Sequence, residues 1–269
     1  MKVESARHLN TYGSAGARLI PAFAPNWGFF LDIDGTLVDL AERPDAVRVD
    51  AALQTILRRL LEVTSGAVAL ISGRPIADVD RLFAPLRLPV AGQHGLERRD
   101  AAGNIHVHAA PADRLRSAAA MLARLTAEFP ELVFEDKRTA LAVHYRRAPS
   151  LAPYVDSVMR GLLAELGSGF ELLSGKMLIE IKLGGKDKGT AIAEFMRENP
   201  FRGREPVFIG DDVTDEYGFA LVNGLHGHAV KVGAGATRAR WRLADAAAVR
   251  AWLTAYAEQH STARASGQP

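Results

Sequence analysis

The chain is patterned in blocks whose hydrophobic period changes along its length. Trp27 to Leu31 is an apolar run, and Val68–Ile71 and Pro206–Ile209 read the same way. Runs apolar at successive positions, rather than at every second one, belong to strands covered on both faces of a parallel sheet. Between the first two, Leu53, Ile56, Leu57, Leu60 and Leu61 recur at helical spacing. A second helical pattern separates Val68–Ile71 from a strand near Pro89–Ala91. This alternation predicts an α/β fold built on a doubly wound parallel sheet that begins at Trp27.

The pattern changes near residues 100–110. Asp113 is placed to cap a helix with apolar positions Leu115, Ala119, Leu122 and Leu125. Strands follow around Leu132–Glu135 and Ala140–Arg146, then a helix carrying Leu151, Val155, Val158 and Leu162, then strands Phe170–Leu173 and Met177–Leu183. The order αββαββ predicts a small open sheet with helices on one face, inserted between core strands as an α+β cap domain. The expected boundaries are an N-terminal arm over 1–26, a core over 27–107 and 185–258, the cap over 108–184, and a C-terminal tail over 259–269. Linkers are expected near Glu97–Ala110 and Gly184–Lys186. Alternation along the cap strands puts Met177, Ile179 and Ile181 on one face and Lys176, Glu180 and Lys182 on the other. His144 and Arg146 likewise oppose Leu141, Val143 and Tyr145. The apolar face can bury against the two helices; the polar face then looks outward or down onto the core. Lys137 and Arg138, in a Glu-Asp-Lys-Arg turn, could add to a ligand-binding polar face, but a surface charge run is the preferred reading.

Three core strands end in reactive side chains, and in open α/β sheets ligands bind beyond the carboxyl ends of strands. The first run ends in Asp32 and Asp34, two residues apart and so on one side of extended chain, followed by Gly35 and Thr36. Gly35 permits a tight turn that presents backbone N–H groups to an anion. The second run ends in Ser72–Gly73–Arg74, where the Ser72 hydroxyl can hydrogen-bond a phosphoryl oxygen. The third ends in Asp211 and Asp212, with Asp215 four residues beyond Asp211 and on the same side of a helical turn. Converging carboxylates repel one another unless a cation neutralises them, and hard oxygen ligands beside a phosphate select Mg²⁺. Lys188, at a Gly-flanked helix start, can cover the remaining phosphoryl charge. Lys186 competes for that role.

Composition narrows the classes. At 269 residues the chain has room for two domains, and an apolar content of 48% supports sizeable cores. Lys and Arg number 33 against 31 Asp and Glu, so there is no nucleic-acid footprint. The absence of Cys excludes disulfides, a thiol nucleophile and thiolate metal sites. No apolar stretch of about 20 residues and no apolar leader core are present, so the expectation is a soluble cytoplasmic protein without a membrane partner.

Taken together, FFLDIDGTL, ISGRP, KGTAI and IGDDVTDE resemble, in order and spacing, the four motifs of the haloacid-dehalogenase-like phosphatases, over roughly Trp27 to Leu253. Within that superfamily the chain resembles the trehalose-6-phosphate phosphatases, through Gly92–Glu97 (GQHGLE), His144–Arg146 (HYR), Gly175–Glu180 (GKMLIE) and GDDVTDE in full. The resemblance implies a Rossmann-like core with the larger cap type between the second and third motifs. It implies a Mg²⁺-dependent hydrolysis of trehalose 6-phosphate, the last step of trehalose biosynthesis. Asp32 would be the nucleophile and Asp34 the general acid and base. Asp32, the Asp34 carbonyl and Asp211 would hold the metal, with Asp215 holding metal waters or orienting Lys188; Asp212 competes for that part. Ser72, Lys188 and the loop N–H groups of Gly35 and Thr36 would take phosphoryl charge, with Gly73 and Arg74 beside them. His94, His144, Arg146, Lys176 and Glu180 would contact the sugar. The alternatives are a phosphatase for another phosphosugar such as sucrose phosphate or a mannosyl phosphate, a phosphomutase, and a non-catalytic sugar-phosphate-binding regulator. The last should have lost Asp32, Asp34 or Asp211, and all three are present.

Overall fold

The apolar runs become strands where expected: β1 Trp27–Leu31, β2 Val68–Ile71, β3 Val90–Gly92 and β10 Glu205–Gly210, joined by β11 His228–Val232 and β12 Trp241–Leu243. The computed structural model describes residues 23–41, 46–108, 112–137, 140–167 and 169–265; most of the expected N-terminal arm, and Arg138, lie outside them. The strands run parallel in the order β12-β11-β10-β1-β2-β3. From β1 the chain moves outward to β2 and β3, and after β10 it moves the other way. The strand order therefore reverses between β1 and β10, and the crevice at such a reversal is where α/β sheets bind ligands.

Alternate side chains of β1 explain why its run is apolar throughout. Phe29 and Leu31 pack with α1 (Ala51–Val63), α2 (Ile76–Phe83) and α7 (Ala246–Ala265) through Leu57, Phe83, Trp252 and Tyr256. Phe30 faces α5 (Lys188–Phe195) and α6 (Asp215–Gly224) through Ile192, Phe195, Phe219 and Val222. Helices α1 and α5 start where the sequence supplies caps. Asp50 accepts from Leu53 N–H at 2.7 Å to open α1. Asp187 and Thr190 form a reciprocal capping box that makes Lys188 the first residue of α5.

The insertion is a four-stranded antiparallel sheet, β6 Val133–Asp136, β7 Ala140–His144, β9 Leu178–Leu183 and β8 Phe170–Gly175 in spatial order. It is preceded by α3 (Ala112–Glu128), and α4 (Ala152–Leu166) lies between β7 and β8. Leu141, Val143, Ile179 and Ile181 bury against Leu122, Val155, Met159 and Leu162 of the helices, as the alternation requires.

Four expectations change: Met177, expected on the buried face with Ile179 and Ile181, is exposed in the turn before β9 with φ +63°, and three element bounds move. The expected linker Glu97–Ala110 contains β4 (Glu97–Arg99) and β5 (Ile105–Val107), which extend the large sheet antiparallel from β3. Asp113 stands inside α3, which begins at Ala112. Helix α7 runs on to Ala265, through most of the expected tail.

Candidate active site

Strands β1 and β10 are neighbours, with Leu31 opposite Ile209, so Asp32 and Asp211 leave adjacent strand ends together. One carboxylate oxygen each from Asp32, Asp211 and Asp215 lie within 4.8 Å of one another, all three residues buried. The approach is close because Gly35 has φ +83° and no side chain: a Cβ there would stand 2.3 Å from Asp211 Oδ2. Lys188 Nζ lies between Asp32 Oδ1 and Asp215 Oδ1, 2.7 Å from each. Asp215 Oδ2 accepts from the Asp212 N–H at 2.8 Å. Asp215 therefore pairs with Lys188 and folds the loop, while its carboxylate also stands with Asp32 and Asp211 where a metal could be held. Lys186 pairs instead with Glu194, away from this cluster.

Burial sets the electrostatics. Burial pushes the Asp32 carboxyl well above the usual aspartate range; Lys188 opposes the shift, while Asp215 and Asp211 reinforce it. Burial likewise raises Asp211, against the cap residue Lys176, whose Nζ pairs with Asp211 Oδ2. For Lys188 burial favours the neutral amine, but Asp215 and Asp32 outweigh it and hold the ammonium charged. Lys231, at the end of β11, donates to the Asp211 carbonyl. Asp211 Oδ1 is buried without a hydrogen-bond partner. Clustered carboxylates with an orphaned acceptor fit a hard divalent cation, and the donor set offers no soft ligand for any other class.

Asp34 lies outside this cluster by its side chain. Arg74 Nε donates to its Oδ2 at 2.6 Å and Arg74 Nη2 to its Oδ1 at 2.7 Å. Ser72 is 1% exposed and its Oγ accepts from the Arg74 N–H. Gly35 and Thr36 differ from expectation. The Gly35 N–H donates to Val38 O at 2.8 Å and the Thr36 N–H to Ile33 O at 3.3 Å, so both are spent inside the turn. A buried turn has to satisfy its own backbone, and neither residue lines the cleft.

The polar face of the small sheet looks down on this cluster, which settles the two orientations left open by the sequence. Glu135, Lys137, His144, Arg146, Lys176 and Glu180 line one cleft with Asp32, Asp34, Ser72, Gly73, Arg74, His94, Lys188 and Asp211. Strand register builds that face. Glu135 stands opposite Ala142 and Ala142 opposite Glu180, while Ala140 stands opposite Lys182. The two small alanines leave floor space for long charged neighbours. Glu180 is 1% exposed and Lys137 8%, and Lys137 Nζ lies 2.5 Å from Glu180 Oε2. Burial resists the charge on Glu180, but Lys137, with a smaller part from His94, holds its carboxyl below the usual range. His94 Nε2 is 3.5 Å from Glu180 Oε1, which has no hydrogen-bond partner. The backbone at Gln93 and His94 is left-handed, φ +49° and +57°, and the His94 ring lies so near Gly73 that a Cβ there would stand 2.8 Å from it. His144 pairs with Glu135 at 2.9 Å, and Arg146 reaches the Lys176 carbonyl at 3.5 Å.

Lys137 was expected on the surface, and Glu135 was not singled out; both belong to the cleft. Their parity was the available signal: Val133, Glu135 and Lys137 alternate with Phe134, which packs on the cap core.

Residues 30–247 match the trehalose-phosphatase family. The chain is 43% identical to the trehalose-6-phosphate phosphatase of Escherichia coli K12 over 87% of both chains. It is 44% identical to a probable trehalose-phosphate phosphatase of Sinorhizobium fredii, over 77% of this chain and 78% of that one. Among solved structures, a trehalose-6-phosphate phosphatase related protein superposes with TM-score 0.73 at 28% identity, over 87% of this chain and 98% of that one. At the level of fold alone, a phosphatase of the haloalkanoate (HAD) enzyme superfamily from Bacteroides thetaiotaomicron superposes with TM-score 0.56 at 16% identity, over 88% and 98%. The strand-end carboxylates, the overhanging cap and the match over most of its length identify the chain as a member of the trehalose-phosphatase family, on the core-plus-cap fold of the haloacid-dehalogenase-like phosphatases.

Proposed function

We propose that the chain is a phosphatase that hydrolyses trehalose 6-phosphate to trehalose and phosphate, closing trehalose biosynthesis in the cytoplasm. The observation that carries this reading is the cleft itself, which sets a buried acid–lysine cluster under a cap face whose buried carboxylate, Glu180, keeps one oxygen without a hydrogen bond. An anionic head group and a hydroxyl-bearing body match those two halves.

A carboxylate oxygen of Asp32 attacks phosphorus in line, and the bond from phosphorus to the sugar oxygen breaks. Asp34 gives its proton to that departing oxygen. Water then attacks the aspartyl-phosphate, the bond from phosphorus to Asp32 breaks, and the proton of the water passes to Asp34. Lys188 orients Asp32 by the 2.7 Å contact and faces the phosphoryl charge, with Ser72 beside it. Asp32, Asp211 and Asp215 would hold Mg²⁺, which when bound supplies positive charge to phosphoryl oxygens. On the cap, Glu180 and Lys137, with Glu135, His144, Arg146 and Lys176 at the rim, meet sugar hydroxyls. His94 reaches the same carboxylate from the core.

Phosphate-monoester hydrolysis requires up to roughly 10²¹-fold acceleration, and general acid catalysis supplies only about 10²- to 10⁴-fold. The covalent step, charge stabilisation and positioning must carry the remainder. A phosphate-release screen across sugar phosphates, with and without Mg²⁺, tests the proposal. Trehalose 6-phosphate should exceed glucose 6-phosphate, sucrose 6-phosphate and mannosyl phosphates at least tenfold in kcat/KM, and a flat profile would refute the substrate.

A further inference from the structure

Arg74 stands in the turn after β2, beside the groups that the family resemblance assigns to the phosphoryl charge. Its contacts give it other work. The guanidinium places one N–H on each oxygen of Asp34, at 2.6 and 2.7 Å, and its side chain is 14% exposed against 31% for Asp34. The Arg74 backbone N–H donates to Ser72 Oγ at 3.1 Å, which fixes the turn carrying it. We propose that Arg74 is a positioning residue that acts through Asp34, fixing the carboxylate that moves the proton, and is not a ligand of the phosphoryl group. This rests on the acid–base role given to Asp34 above.

The chemistry follows from the planar fork. A lone aspartate turns freely about its last bond, whereas a bidentate guanidinium holds the carboxylate plane and aims both oxygens. Across the cleft, Glu135 of the cap lines the same space and its charge favours the guanidinium, while Lys137 faces it with the opposite sign.

The test is a double-mutant cycle between Arg74→Met and Asp34→Asn, read on trehalose 6-phosphate and on nitrophenyl phosphate, with the inhibition constant of inorganic phosphate measured for each variant. Asp34→Asn alone checks the underlying reading, because loss of a general acid must hurt formation of the aspartyl-phosphate more with the sugar leaving group than with the aryl one. Equal losses would overturn that reading and this proposal with it. Given unequal losses, Arg74→Met should lower kcat on the sugar phosphate roughly 10- to 100-fold and leave phosphate inhibition within about twofold. Arg74→Lys keeps the charge but not the fork, and should recover little. In the Asp34→Asn background, Arg74→Met should cost less than about twofold more. A tenfold weaker phosphate inhibition, rescue by Arg74→Lys, or losses that multiply in the double variant would each make Arg74 a phosphate ligand and overturn the proposal. Phosphate inhibition also reports that the site is folded, and Arg74→Lys replaces Arg74→Met if the latter does not fold.

Discussion

Glu180 offers the sharpest test of how the cap chooses a substrate. Replacing it by Ala would confuse two effects. Lys137, only 8% exposed, would lose the partner 2.5 Å away, and breaking one side of a buried ion pair typically costs about 3–5 kcal/mol. The cap would loosen, and any loss of activity would be ambiguous. Glu180→Gln keeps the length of the side chain and one oxygen to accept from Lys137, but removes the charge and turns the other oxygen into a donor. Glu180 Oε1 is the buried acceptor without a partner, and in the proposed complex a sugar hydroxyl fills it. A hydrogen bond to a charged group contributes about 1.5–3 kcal/mol. At roughly 1.4 kcal/mol per factor of ten, kcat/KM for trehalose 6-phosphate should fall about 10- to 150-fold. Nitrophenyl phosphate, too short to reach the cap, should change less than about threefold. Phosphate release on both substrates, with thermal melts confirming a folded cap, decides the matter. Parallel losses, or a sugar-phosphate loss below about threefold, would remove Glu180 from recognition and leave its burial beside Lys137 a structural feature.

Other perturbations probe the core. Asp32→Asn should abolish turnover while leaving the melting temperature near wild type, and a beryllium fluoride adduct in the wild-type protein should be found on Asp32; a tenth of normal turnover in the variant would sink the nucleophile. EDTA should remove activity and Mg²⁺ restore it, with Ca²⁺ a poor substitute because its larger, looser shell misplaces the reacting groups. Isothermal titration should show Asp211→Asn weakening Mg²⁺ binding more than Asp212→Asn, and the reverse order would misassign the metal loop. Burial holds the His94 imidazole below its ordinary 6.5, against the pull of Glu180. The unfolded chain therefore takes up that proton first, so the stability contributed by neutral His94 is complete above the unfolded pKa and is lost as the pH falls below it. Urea melts between about pH 7 and pH 5 should show His94→Gln flattening this decline, and an unchanged slope would mean that His94 stays neutral without cost.

The large sheet and its strand-end acids were legible because both signals are local. An apolar run marks a doubly covered strand, and a polar residue directly after it must sit at the strand end. What was not legible depends on partners far away in sequence. Strands β4 and β5 have three residues each, and Glu-Arg-Arg carries no strand signature. Strand β4 is held by Arg98 on Glu194 and Glu198, over the ring of Phe195, and by Arg99 on Asp80 and the Leu88 carbonyl, and β5 pairs with β4 alone. Glu97 likewise accepts from the Ile76 N–H at 2.6 Å, capping α2, whose own start has no side-chain cap. The turn at Gly35 was rightly expected to be tight, but tightness consumes the N–H groups that an open loop would offer.

Lys137 shows the same limit in its most consequential form. Four successive charged residues in Glu135–Arg138 read as solvated, because charge is rarely buried and local sequence contains nothing to pair it. The pairing is made by register: Glu135 to Ala142 to Glu180 across three strands, with Lys137 one step along the same face. Burying that pair is a poor way to stabilise a cap, since apolar residues of similar volume serve as well or better in such positions. The strained backbone at Gln93 and His94, which sets an imidazole against the same carboxylate, adds a further cost of about 1–3 kcal/mol per residue. Neither feature follows from folding requirements, and both converge on Glu180, whose Oε1 has no hydrogen bond. A site that holds a desolvated acceptor in place rejects a ligand that cannot donate to it more strongly than an apolar wall rejects a misfit. The buried charges of the cap therefore make sense as the means by which this sheet discriminates among sugars that present the same phosphate to Asp32.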